Sequence, residues 1–290
     1  MRILDEYNTG VDAIEVDAIL QKISTSLPSV DDKNLMKRIF SLIDLTTLSE
    51  RDNIRNVSGM CGKVNLLPEA YPSMPPVAAI CVYPEMVPVV RENLANPLVN
   101  IASVGGGFPA SQTFTNIKVM EIEQAISQGA DEIDIVLPVG KFLMEEYEYV
   151  EYEIKAIKER MGNKHLKVIL ESGSLRDYML IRKASLLAIG AGADFIKTST
   201  GKIPTGATPE AMIIMCQAIL DYYNRTGKRI GIKPAGGISD PETAVLYYSI
   251  VKEILGEEWL NPERFRIGAS RLANGLLALI FDQGPDFGYF

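Results

Sequence analysis

The chain is short of the groups on which many active sites depend: its 290 residues include one histidine, three cysteines and one tryptophan. A lone His165, in the polar stretch Gly162-Asn163-Lys164-His165, excludes a multi-histidine zinc centre and reads as a solvated loop residue rather than the pivot of a catalytic triad. Cys61, Cys81 and Cys216 are scattered, without the spacing of a disulfide framework or a zinc site, so no metal is expected and a reducing, cytoplasmic compartment is. No apolar run approaches the ~20 residues of a membrane span, and Met1–Asn8 lacks the apolar core of a signal peptide. Positive charge is also in deficit. With 29 Lys and Arg against 37 Asp and Glu, the formal net charge is -8, so nucleic acid is not an expected partner and any phosphate must be bound locally.

What remains is an ordinary globular balance, 47% hydrophobic and 23% charged, at a length suited to one large core. An α/β barrel uses about 250 residues as one domain. Residues 11–38 read as a helical preamble: Val16, Ile19, Leu20, Ile23 and Leu27 recur at helical spacing, Pro28 stops the run, and Asp31 or Asp32 caps a second short helix. Short apolar runs then alternate with longer amphipathic stretches. The runs are Ile39–Ile43, Val77–Val82, Val99–Val104, Glu132–Leu137, Leu166–Glu171, Ala193–Lys197, Arg229–Lys233 and Phe265–Gly268.

Eight such runs predict a closed (β/α)8 barrel of parallel strands, with an open doubly wound sheet as the alternative if the first or last run is not a strand. Helical patterns such as Val119-x-x-Ile122-x-x-x-Ile126 and Ala211–Leu220 lie between them, the latter opened by Thr208 as N-cap and Pro209 at the first helical position. The expected division is a helical extension over 1–38, a barrel over 39–282 and a tail over 283–290.

In a barrel the active-site face lies at the strand ends and the loops that follow them, so polar residues closing apolar runs are the candidates. Lys197 and Lys233 each end such a run. On neighbouring strands the two ammonium groups would share a pocket, and repulsion would drive one to lose its proton. A fall in pKa from ~10.4 to about 7 would raise the neutral fraction at neutral pH from roughly one in 2500 to about half, giving a nucleophile toward carbonyl carbon. Asp134 lies inside an apolar strand, on one face with Glu132 and Val136, and reads either as a structural partner of a lysine or as a proton relay.

Asp44 and Thr46 follow the first run, Cys81 sits in the second as a small pocket-wall residue, and Glu171 ends the fifth. Gly201-Lys202, Gly236-Gly237 and Gly268-Ala269-Ser270-Arg271 form three loops suited to a phosphate ester. Gly105-Gly106-Gly107-Phe108-Pro109 reads equally as a pocket rim or a flexible loop.

These residues, over approximately 40–280, make the chain resemble the deoxyribose-phosphate aldolase family of class I aldolases with a TIM-barrel fold. The resemblance is carried by Ile43-Asp44-Leu45-Thr46-Thr47-Leu48, Ala78-Ala79-Ile80-Cys81-Val82-Tyr83-Pro84, Glu132-Ile133-Asp134-Ile135-Val136, Lys197-Thr198-Ser199-Thr200-Gly201-Lys202, Lys233-Pro234-Ala235-Gly236-Gly237 and Phe265-Arg266-Ile267-Gly268-Ala269-Ser270. It implies a Schiff-base role for Lys197, a pKa-lowering role for Lys233 and a proton relay at Asp134. It also implies substrate contacts at Asp44, Thr46 and Cys81 and phosphate contacts at Gly201, Lys202, Gly236, Gly237 and Ser270, to which the reading of the loops adds Thr200 for the sugar and Gly268 and Arg271 for the phosphate.

The reaction it implies is reversible cleavage of 2-deoxy-D-ribose 5-phosphate to acetaldehyde and D-glyceraldehyde 3-phosphate, without a cofactor and in a possible homo-oligomer. The Val104–Pro109 stretch and Glu257-Glu258-Trp259-Leu260 match the longer, eukaryotic-type branch of the family. Arg271 departs from the serine or threonine common there, and Tyr289 is penultimate where some members end in a tyrosine that enters the site. The alternatives are a Schiff-base aldolase with a different donor, or a sugar-phosphate-binding barrel without turnover.

Overall fold

In the computed structural model, which describes residues 3–284 and 287–290, eight parallel strands lie in sequence order around a barrel. They are β1 (Ile43–Thr46), β2 (Ala79–Val82), β3 (Asn100–Gly105), β4 (Glu132–Val136), β5 (His165–Ile169), β6 (Phe195–Lys197), β7 (Gly231–Lys233) and β8 (Ile267–Ala269). Continuous ladders run from β7 through β6 to β1 and on to β8. The last seam is closed by parallel bridges pairing Ile232 with Phe265 and Ala235 with Gly268. The expected (β/α)8 barrel is therefore the observed fold, and the open sheet is not.

The strands form where the sequence alternates between two apolar environments. On β4, Ile133 and Ile135 point outward into the layer shared with the helices, while Glu132 and Asp134 point into the lumen. A helical layer covers the outside, including Thr115–Ser127, Tyr147–Arg160, Tyr178–Gly190, Pro209–Thr226, Pro241–Leu255 and Leu272–Ile280. As the sequence predicts, the Thr208 hydroxyl accepts the Ala211 N–H at 3.2 Å with Pro209 beginning the helix. Trp259 is buried and donates its indole N–H to the Ile230 carbonyl at 2.8 Å, tying the Glu257–Trp259 turn to the approach to β7.

Two expectations need correction. The first apolar run is not a strand from Ile39: Ile39 and Phe40 complete the helix Lys33–Phe40, and β1 begins at Ile43. That helix buries Met36, Ile39 and Phe40, so its apolar end merges in sequence with the strand that follows. His165 is not a loop residue but opens β5, half-buried, with Nδ1 4.0 Å from Glu132 Oε1.

Before the barrel, helix Ala13–Ser24 is capped by Asp12 and packs on Pro209–Thr226 and Pro241–Leu255. Asp32 caps Lys33–Phe40, which packs on Leu272–Ile280. At the other end, Tyr289 and Phe290 return to the body, where both backbone N–H groups donate to Asn274 Oδ1 at 2.9 and 2.8 Å. No helix among the described residues is long and apolar enough to cross a membrane.

Candidate active site

Strand register creates the centre of the site. Lys197 on β6 is paired directly with Lys233 on β7, and Asp134 on β4 with Lys167 on β5. In-register neighbours share a face, so all four side chains enter the lumen together. Asp134, fully buried, accepts Nζ–H bonds from Lys197 and Lys233 at Oδ2, both 2.8 Å, and from Lys167 at Oδ1, 3.0 Å.

Asp44 on β1 pairs with Lys233 and with Arg266 Nη1 at 2.6 Å. Glu132 pairs with Lys167 and with Arg266 Nη2 at 2.7 Å, and also accepts from Asn100 Nδ2 at 2.7 Å. Charges this deeply buried persist only when paired.

The protonation states follow from this wiring. Burial works against an ionised Asp134, but Lys167, Lys197 and Lys233 outweigh it and hold the carboxyl well below the ordinary range. Burial also favours a neutral Lys233, yet Asp134 and Asp44 overcome it and raise its pKa. Lys197 goes the other way. Burial, first, and the Lys233 charge lower its pKa, with Asp134 opposing incompletely. The two lysines are thus divided into a permanent cation and the amine that gives up its proton more readily. Desolvation is the larger cause and lysine–lysine repulsion the second.

Above Lys197 lies a cavity of about 230 Å³ lined by Thr46, Leu48, Lys197, Thr200, Gly201, Lys202, Ala235, Gly236, Gly237, Ile238, Gly268, Ala269, Ser270 and Arg271. The three glycine-bearing loops therefore converge on one space. Their closeness depends on missing side chains: Gly236 has φ +85°, and a Cβ on Gly206 would stand 2.2 Å from the Gly236 carbonyl oxygen. Helix Leu272–Ile280 starts directly after Arg271, bringing its positive end to the same wall. Lys202 crosses the mouth and donates to the Leu48 carbonyl.

The remaining candidates occupy distinct layers. Asp44 and Cys81 are wholly buried in the floor and wall, whereas Thr46 and Thr200 reach the cavity. Burial pushes the Cys81 thiol up despite Lys233 nearby, which suits a wall residue and not a thiolate nucleophile. Glu171 stands two residues beyond β5, left-handed at φ 55°, and accepts from the Thr200 amide at 3.1 Å and from the Thr200 hydroxyl. It holds the loop after β6 in shape.

Sequence reasoning passed over Lys167, Glu132 and Arg266 as members of the site. The signal was present, because Leu166-Lys167-Val168 and Phe265-Arg266-Ile267 each place a charge inside an apolar run, as Asp134 does.

Comparison with known proteins gives the class. The family of DeoC/LacD aldolases matches residues 38–252, so the chain belongs to that family and is an aldolase, a carbon–carbon lyase. Its relatives include human deoxyribose-phosphate aldolase, 41% identical over 262 residues, covering 85% of this chain and 80% of the relative. A Caenorhabditis elegans protein provisionally given the same name is 40% identical over 275 residues, 94% of this chain and 90% of that one. The solved tetrameric deoxyribose phosphate aldolase of Aeropyrum pernix shares the fold with a TM-score of 0.63 and 24% identity, over 92% of this chain and 98% of that chain.

Proposed function

We propose that this aldolase reversibly cleaves 2-deoxy-D-ribose 5-phosphate to acetaldehyde and D-glyceraldehyde 3-phosphate through a Schiff base on Lys197. The observation that carries the reading is a buried amine with a lowered pKa, bonded to Asp134 beside a cationic Lys233, at the base of a cavity rimmed by Lys202, Arg271 and three glycine-bearing loops. Lys197 Nζ adds to the aldehyde carbon of the open-chain sugar, and the resulting carbinolamine loses water as a proton from solvent reaches its hydroxyl through bound water, while the Lys233 ammonium stays charged beside it. The iminium then accepts the electron pair of the breaking bond between the second and third carbons. Asp134, through water, takes the proton of the third-carbon hydroxyl, so glyceraldehyde 3-phosphate leaves and an enamine remains. Proton return to the enamine carbon and hydrolysis release acetaldehyde and free Lys197. All atoms are accounted for without a cofactor.

Phosphate held by Lys202, Arg271, Ser270 and the backbone at Gly201, Gly236, Gly237 and Gly268 anchors the far end of the sugar, so binding energy distant from the reacting carbons aligns them. Thr46 and Thr200 lie between the two ends and are suited to the sugar hydroxyls. Lys202→Ala should raise KM for the phosphorylated sugar about tenfold or more while changing turnover of unphosphorylated deoxyribose little; equal losses on both substrates would remove the phosphate assignment.

The deciding experiment is borohydride reduction with deoxyribose 5-phosphate or acetaldehyde, followed by peptide mass spectrometry. A reduced adduct on Lys197 is expected, and catalysis without any trappable adduct would overturn the Schiff-base reading. A panel comparing acetaldehyde with dihydroxyacetone phosphate as donor tests the substrate. The buried, free cysteines Cys61, Cys81 and Cys216 suit a reducing, cytoplasmic setting. The tetrameric Aeropyrum pernix relative supports a homo-oligomer, which light scattering would measure directly.

A further inference from the structure

Followed from partner to partner, the buried charges close on themselves. Asp134 pairs with Lys167, Lys167 with Glu132, Glu132 with Arg266, Arg266 with Asp44, Asp44 with Lys233, and Lys233 returns to Asp134. Three carboxylates and three cations alternate around this ring, supplied by β1, β4, β5, β7 and the residue preceding β8. Its formal charge is zero. Lys197 joins it only through Asp134 Oδ2, an oxygen it shares with Lys233. A protonated Lys197 would therefore be a fourth cation facing three carboxylates at the almost wholly buried base of the cavity.

We propose that Arg266 and Glu132, at the lower end of the barrel and remote from the cavity, are tuning residues of the aldol reaction: by completing a neutral ring they leave Lys197 as the surplus base. This inference rests on the Schiff-base reading of Lys197. It extends the cause of that lysine's reactivity from one neighbouring ammonium to the charge parity of seven side chains. Glu132 opens β4 and Arg266 precedes β8, both at the strand ends opposite the loops that line the cavity. Any effect they have on Lys197 must therefore pass through the ring.

The other groups facing Lys197 and the ring are Cys81, His165 and Asn100, and of these only His165 can add a cation. From β2, Cys81 faces Lys197 with its thiol pushed up by burial and hence neutral. From β5, His165 stands 4.0 Å from Glu132, half-exposed at the barrel's end. Asn100 on β3 donates to Glu132 without adding charge. The ring cations hold their protons more firmly than free side chains do: burial opposes their charge, but the carboxylates around Lys167, Lys233 and Arg266 prevail.

The signs are opposite for the two residues. Glu132→Gln keeps the side-chain shape but leaves three cations against two carboxylates, so protonating Lys197 becomes harder and the acid limb of kcat/KM moves to lower pH. Arg266→Met leaves a carboxylate in excess, and the acid limb moves to higher pH. Each shift should be about one pH unit, a tenfold change in the ratio of neutral to protonated amine. The double variant Glu132→Gln/Arg266→Met is neutral again and should return to within about 0.3 unit of the wild-type limb.

Packing alone gives a different pattern: both single variants lose kcat without opposed shifts, and the double variant is no better than the worse single. That pattern, or two singles that move the limb in one direction, would overturn the proposal. If Arg266→Met does not fold, Glu132→Gln paired with Arg266→Lys carries the test, since the lysine keeps the charge and should leave the limb in place. Borohydride trapping on the same preparations separates the two ideas. An absent Lys197 adduct in the wild type defeats the Schiff-base reading, whereas a normal adduct with an unmoved acid limb in Glu132→Gln defeats the ring.

Discussion

The two arcs of the barrel lumen are built from opposite materials. From β4 through β5, β6 and β7 to β8 and β1, the interior carries Glu132, Asp134, Lys167, Lys197, Lys233, Arg266 and Asp44, all buried and ion-paired. On β2 and β3 it carries Ala79, Cys81, Ala102 and Val104, packed with Leu48 and edged by Tyr83 and Phe108. The charged arc can hold so many ions because each completes the coordination of the next, and it cannot move without stranding one. The apolar arc is made of small side chains and leaves room. An apolar wall opposite the charges also keeps the local dielectric low, which strengthens each electrostatic effect on Lys197.

The sharpest way to break the comparison is to remove one member of the charged arc at a time. Lys197→Ala should cost at least about 10⁴-fold in kcat, since the nucleophile is gone. Its fold should survive, because the amine it removes is the surplus one. Asp134→Leu should be equally inactive but also lose ~3–5 kcal/mol of stability, for it abandons three lysines to a buried site at once. Thermal or urea unfolding of the two variants side by side checks this, and equal stability losses would mean that Lys197 is as structural as Asp134.

Lys233→Leu separates burial from charge as causes of the Lys197 shift. The pKa of Lys197 is lowered by burial first and by the Lys233 ammonium second. Deleting that ammonium raises the pKa, leaves fewer neutral amines at a given pH, and so moves the acid limb of kcat/KM to higher pH, by about one unit. Because the site stays buried, the limb should stop short of the ~10.4 of a free lysine. An unmoved limb would leave desolvation as the whole explanation.

The apolar arc has its own test. Ala102 is fully buried between Cys81 and the β4 interior. Ala102→Leu adds three carbons to a packed wall at a cost of ~1–3 kcal/mol. If this arc shapes the reaction space, kcat/KM should fall ~10-fold or more while the acid limb stays where it is, the converse of the charged-arc variants. A shifted limb with retained kcat/KM would show that the two arcs are not functionally separate.

The contrast between the arcs also explains what could be read in advance. Lys197, Lys233 and Asp134 were legible because each charge interrupts or ends an apolar run, an arrangement expensive unless paired. Glycines at 201, 236, 237 and 268 were legible because loops after the later strands form the mouth of such a barrel. Closure of the ring was not, since it joins residues as far apart in sequence as Asp44 and Arg266 through the register of five strands. Nor was the start of β1, where the buried end of a short helix runs into the strand without a break in hydrophobicity. The shape of the Thr200 loop likewise depends on Glu171, a partner 29 residues away and left-handed at φ 55°.

The smallest expected effect is at the tail, where the family resemblance raises entry of Tyr289 into the site. Pro285 and Asp286 lie outside the described residues, but Tyr289 itself donates its hydroxyl to the Lys63 carbonyl at 2.8 Å and packs edge-on against Tyr71. Phe290, beside it, lines a second cavity that shares Thr46, Ser270 and Arg271 with the first. In this arrangement the tail braces the outer side of the wall formed by Ser270 and Arg271, while the Tyr289 hydroxyl is engaged at helix Ile54–Ala70. Tyr289→Phe should thus cost ~0.5–1 kcal/mol in stability and change kcat less than about threefold. Removal of residues 287–290 should instead raise KM for the phosphorylated sugar, through a loosened wall. A large loss of kcat in Tyr289→Phe, with KM unchanged, would place that hydroxyl among the proton-transfer groups and require the tail to leave this position during turnover.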